Sequence, residues 1–169
     1  MDYEIKYSGR KTLSLSVKDG RLIVRAPYGT KQGKIDRAVS SHEQWIKKHI
    51  EKQVAREKKY DGLSEADIDL MRKEAKAIIP LKTSHYANIM GLKHGRITIT
   101  SAKTRFGSCS SKGNLSFSYR LMMYPDEAID YVVVHELAHL VELNHSQRFY
   151  KVVESVLPDY KERRKLLKN

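Results

Sequence analysis

The sequence predicts an α+β fold in which a small twisted sheet, an N-terminal β-hairpin and several long helices surround one central helix. Three observations lead there. Apolar and polar residues alternate at 11–26, 96–101 and 114–121, the period-two pattern of half-buried strands. Apolar residues recur at three- and four-residue steps after Lys31 and again after Ser64, the pattern of helices with one buried face. The stretch VVVHELAHLVELNH, residues 132–145, is apolar nearly all round yet carries three of the chain's seven histidines.

The elements follow in order. In KTLSLSVKDGRLIVRA, Leu13, Leu15 and Val17 share one face of a first arm and Leu22, Val24 and Ala26 one face of a second. The Asp19-Gly20 link between them favours a tight primed turn. Pro27, Tyr28 and Gly29 end the hairpin, and Thr30 is the expected cap of the next helix. That helix is expected from Lys31 to about Lys59, burying Ile35, Ala38, Val39, Trp45, Ile46, Ile50 and Val54. After Tyr60, Asp61 and Gly62, Ser64 with Asp67 forms a capping box that opens another helix through Ile68, Met71, Ala75, Ile78 and Ile79. Pro80 is expected to kink it or begin a new segment, with any continuation ending at Gly91.

Residues 96–101 and 114–121 are expected strands, and KTRFGSCSSKG between them a loop or wide hairpin. Pro125 suits the first position of a helix running to about Leu143, with Asp126 and Glu127 at its positive end. A helix at 146–156 stops before Pro158, and KERRKLLKN forms a short last one.

The formal charge of +12, from 32 basic and 20 acidic residues, attracts polyanions without identifying one. The start MDYEIKYSGRKTL lacks a signal-peptide core, no window approaches a membrane span, and Cys109 is the single cysteine. The expectation is a cytoplasmic protein with no membrane partner.

His135 and His139 lie one turn apart, about 40° from each other on one helix face, and both reach a single metal ion. Glu136, displaced around the helix, is placed to act on a water beside that ion as general base. This is the mechanical content of H-E-x-x-H, and it points to zinc-dependent hydrolysis. A third ligand is needed, and Glu142 and His145 both follow closely. A straight helix would carry Glu142 back to within about 20° of His135, but roughly 10 Å along the axis. A turn at Asn144 would instead return His145 to the metal, and His145 is the preferred choice.

HELAHLVELNHSQRFY, preceded by KTRFGSCSSKGNLSFSYRL and followed by LPDYKERR, resembles the YgjP-like metallopeptidase family, of zincin type and more distantly related to SprT-like and WLM proteases. The likeness covers nearly the whole chain, and its most specific parts are H-E-L-A-H with N-H-S and the R-x-G-S-C-S loop. It implies a single zincin-like domain over 1–169, with a hairpin-and-helix lobe at 1–60 and the core at 61–169. It also implies His135, His139 and His145 as ligands of one Zn2+ per chain and Glu136 as general base. Phe106 and Tyr150 stand where the family often has tryptophan. Glu142 occupies the position of a metzincin glycine and no methionine follows the motif, so a metzincin is rejected.

The resemblance does not choose the scissile bond. A peptidase acting on a peptide or protein is favoured, with an extended substrate pairing with strand 114–121 and Arg105, Tyr119 or Arg120 steadying the oxyanion. One alternative is a nucleoside triphosphate pyrophosphatase, using Ser108, Ser110, Ser111 and Lys112 on phosphates. Another is a DNA-associated protease or binding module that uses the basic surface to hold nucleic acid. Cys109 is read as an inert thiol, and His42, His49, His85 and His94 as surface or helix-face residues.

Overall fold

Residues 2–58 and 60–168 are described by the computed structural model, in which the chain divides into two units, Met1–Gly62 and Leu63–Asn169. The expected helix end at Lys59 and the last residue of the expected C-terminal helix, Asn169, lie outside the described residues.

In the first unit the hairpin joins β2 (Ser14–Lys18) to β3 (Arg21–Pro27) in antiparallel register. Asp19 and Gly20 both take positive φ, 50° and 71°, as a primed two-residue turn demands. Leu22, Val24 and Ala26 are fully buried, as the alternation predicts. A strand not anticipated, β1 (Tyr3–Ser8), pairs parallel with β3, giving the order β1-β3-β2. Tyr3 and Ile5 alternate there with Glu4 and Lys6, but only half-buried, as on an edge strand.

The expected single helix is two, α1 (Gln32–Ser41) and α2 (Glu43–Lys58). The Ser41 hydroxyl donates to the Ala38 carbonyl at 3.1 Å, and His42 Nδ1 lies 2.9 Å from the same oxygen. The His42 amide bonds Val39 instead of continuing the α pattern, so local side chains compete with the helix and end it. Thr30 is not the cap: Lys31 occupies that position, and the Thr30 hydroxyl donates to Pro27 O. Ile35, Val39 and Ile46 pack against the sheet. Trp45 falls about 100° round the helix from Ile46, and it is exposed and stacked on His49 rather than in the core.

The second unit opens with α3 (Glu65–Met90), whose capping box is complete: Asp67 N–H donates to Ser64 Oγ and Ser64 N–H to Asp67 Oδ2. Of the two outcomes expected at Pro80, no new segment begins there: α3 runs on and ends at a left-handed C-cap at Gly91, as expected for a continuation. Lys76, whose carbonyl loses its i+4 amide donor at the proline, is exposed, so that carbonyl is not forced into a core. The three strands β4 (Ile97–Thr100), β5 (Gly107–Cys109) and β6 (Leu115–Ser118) are ordered β4-β6-β5, with β4 parallel and β5 antiparallel to β6.

The strand expected at 114–121 is cut short at Ser118. Its hydroxyl donates to Ala102 O and accepts from the Arg120 amide, opening a 3-10 turn over Tyr119–Met123. Because β6 is the middle strand, both its edges are already paired, and a substrate cannot add to it as expected.

Helix α4 (Asp126–Ala138) begins just after Pro125 and fills the centre of this unit; α5 (Gln147–Val156) and α6 (Tyr160–Leu166) pack on it. Val133, Val134 and Leu137 of α4, Phe117 of β6 and Phe149 of α5 have no exposed surface. Asp130 accepts from Lys82 Nζ of α3 at 2.7 Å and from Arg163 Nη1 of α6 at 3.2 Å, tying both helices to α4. Among the described residues, no helix is long and apolar enough to cross a membrane.

Helix α4 ends five residues before the expected Leu143. Leu140 N–H and Val141 N–H bond the carbonyls of Leu137 and Ala138, tightening the last turn. Val141 and Leu143 are exposed, so another helical turn would have no core to face. The chain reverses there instead.

Candidate metal centre

The early end of α4 is what assembles the site. His135 sits in the last turn and His139 is the C-cap, with ring centroids 5.1 Å apart. The reversal through 140–144 returns His145, whose Nε2 lies 2.9 Å from His135 Nε2 and whose ring is 4.7 Å from that of His139. Ser146 then caps α5, accepting from Phe149 N–H, so His145 is fixed immediately before a helix start. The buried Phe149 ring lies 4.6 to 4.8 Å from all three imidazoles and forms their floor.

One nitrogen from each histidine falls within 4.8 Å of the others, and this is the group among the described residues suited to an ion. Glu142 enters differently. His139 Nδ1 lies 3.2 Å from its backbone carbonyl, which only accepts, so the proton is on Nδ1 and the Nε2 lone pair is free. Tyr131 OH stands 3.4 Å from His135 Nδ1 in the same supporting position. Tetrahedral coordination at about 2.05 Å separates ligand nitrogens by roughly 3.3 Å, close to the 2.9 Å between His135 and His145. Three neutral imidazoles suit a borderline-soft divalent ion.

Electrostatics favour the same state. Burial, then the neighbouring His139, His145 and Arg164, pushes His135 down to about 3. His145 is also lowered, by burial and then by His139 and Arg164. Both imidazoles are therefore neutral and ready to ligate at ordinary pH. Glu136 is 6% exposed, and burial raises its carboxyl to about 7, with Arg105 opposing. A carboxyl near neutrality is suited to accept and return a proton.

The other sequence candidates divide. Arg105 is exposed just before β5 and its charge reaches Glu136. Tyr119 and Arg120 are buried in the 3-10 turn, with the Arg72 guanidinium 5.3 Å from the Tyr119 centroid. Cys109 is half-buried on β5, its thiol raised by burial and by Glu136. Ser110 Oγ accepts from Asn114 N–H within the turn to β6. His42, His49 and His94 contact nearby backbone carbonyls. Sequence reasoning missed Tyr131, Phe149 and Arg164; Tyr131 does carry a signal, since it precedes His135 by one turn as His135 precedes His139.

The model of the YgjP-like family, described as a metallopeptidase domain, matches residues 11–68 and 53–169. The chain belongs to the YgjP-like family. Membership makes it a metal-dependent hydrolase, and the three-histidine group lies inside the second matched segment. Among solved structures, the metallopeptidase zymogen abylysin of Pyrococcus abyssi is 25% identical with a TM-score of 0.49, over 53% of this chain and 91% of that one. The zymogen jannalysin of Methanocaldococcus jannaschii is 17% identical with a TM-score of 0.43, over 50% and 91%. A search of curated proteins gives no match.

Proposed function

We propose that the protein is a zinc-dependent peptidase in which His135, His139 and His145 hold the ion and Glu136 is the general base. The observation that carries this reading is the convergence of three imidazole nitrogens within 4.8 Å beside a buried carboxyl raised to about 7. A bound divalent ion supplies Lewis acidity to the scissile carbonyl and to the attacking water. Glu136 accepts the proton of that water and returns it to the leaving amine. Arg105, the exposed cation whose charge reaches Glu136, is the favoured group for developing negative charge.

The substrate strand pairs with β5. Phe106 O accepts from Ser118 N–H and Ser110 N–H donates to Asn114 O, so alternate residues of β5 bond inward to β6. Gly107 and Cys109 therefore turn their amides and carbonyls to the outer edge, where an extended peptide adds as a fourth strand.

The test compares zinc-loaded wild type with Glu136→Gln on a peptide library and on nucleoside triphosphates. The reading expects peptide cleavage by wild type, a loss of about 100-fold or more in the variant, and equal zinc in both. Triphosphate hydrolysis without peptide cleavage would replace the peptidase by a pyrophosphatase, and full activity in Glu136→Gln would remove the mechanism.

A further inference from the structure

Strand β5 passes so close to α4 that one of its residues has no room for a side chain. A Cβ built on Gly107 would stand 2.6 Å from Glu136 Cγ, 2.6 Å from Oε1 and 2.8 Å from Cδ. Carbon atoms in contact prefer about 3.5–4.0 Å, so any residue but glycine collides with the end of this carboxylate side chain. Conformational freedom is not the reason for glycine here. Gly107 is absent from the glycines with positive φ, and an alanine would adopt its backbone without strain.

Neither backbone is free to give way. β5 is held to β6 at both ends by the Phe106 and Ser110 bonds. The turn of α4 that carries Glu136 is fixed by Val133, Val134 and Leu137, each without exposed surface. The collision must therefore be relieved by the Glu136 side chain itself, which is buried on its other sides.

We propose that Gly107 is a positioning residue for Glu136: the bare strand backbone is the wall against which the carboxylate is set, and a methyl group there displaces it. The catalytic consequence rests on the reading of Glu136 as general base; the contact does not.

The experiment is a double-mutant cycle on the full chain at matched metal content, with Gly107→Ala, Glu136→Ala and both together, reading the urea midpoint by circular dichroism. Overpacking in the wild-type background is expected to lower the midpoint by roughly 1 M. In the Glu136→Ala background, where the colliding atoms are gone, the same substitution should cost less than about a third of that. Equal penalties in both backgrounds would overturn the proposal. If Gly107→Ala alone does not fold, a folded double variant supports the coupling and an unfolded one overturns it.

On zinc-loaded enzyme, Gly107→Ala should lower kcat about 100-fold, the scale of a misplacement near 1 Å, with KM within about threefold and zinc unchanged. Unchanged kcat in a folded variant overturns the positioning role. Absence of hydrolysis in wild type would sink the peptidase reading while leaving the outcome of the stability cycle intact.

Discussion

His135 and His145, ten residues apart in the chain, meet Nε2 to Nε2 at 2.9 Å. That separation is close to the spacing of two nitrogens on one tetrahedral ion, so the pair already has the geometry of two ligands. Burial, then His139 and Arg164, keep both uncharged, and His145 adds to the effect on His135.

The first prediction separates the two third ligands that a straight helix leaves open. His145→Ala is expected to weaken zinc by more than about 100-fold, beyond the range seen when supporting groups are lost. Glu142→Ala keeps the carbonyl that accepts from His139 Nδ1, so it should retain about one zinc per chain. Elemental analysis after identical purification decides; equal zinc in wild type and His145→Ala would remove the three-histidine centre.

How much of this was legible depended on where each signal lies. The Asp19-Gly20 turn, the Ser64–Asp67 capping box and the Gly91 stop are local chemistry, and each appears where the residues predict. The histidine pair was legible from its spacing. The end of α4 was not: nothing between Ala138 and Asn144 breaks a helix, and the stop comes from the absence of a core beneath Val141 and Leu143. β1 was missed because its alternation is only half-buried, and Trp45 was misplaced because it lies about 100° from the buried Ile46 on the same helix. Gly107 sits in a stretch read as a loop or wide hairpin, and its need for glycine is visible only when β5 and α4 are side by side.

Tyr131 gives the second prediction. Its hydroxyl is 3.4 Å from His135 Nδ1 and its ring is 5.6 Å from the imidazole. Burial raises the phenol to about 12, so it stays neutral and able to bond. Tyr131→Phe keeps the packing and removes the oxygen, leaving His135 Nδ1 without its support. Zinc affinity measured by competition with a chelator should fall about tenfold, at the low end of such effects because the contact is long. An unchanged affinity would make Tyr131 a packing residue only.

The last prediction concerns pH and the metal-free chain. His135 titrates at about 3 when folded against an ordinary 6.5, so between these values the unfolded chain holds the extra proton and stability rises with pH. His145 is shifted the same way. Glu136 titrates at about 7 against an ordinary 4.5, so over that interval the folded chain holds the extra proton and stability falls with pH. From about 4.5 to 6.5 the contributions oppose one another, and from about 6.5 to 7 Glu136 acts with little opposition. Glu136→Gln deletes one side of this balance. Its urea midpoint should climb more steeply than wild type's between about pH 4.5 and 6.5 and should lack the decline toward pH 7. Midpoints measured across that range after chelation test the balance directly, and parallel curves for the two proteins would show that Glu136 does not titrate there, leaving the histidines to set the slope alone.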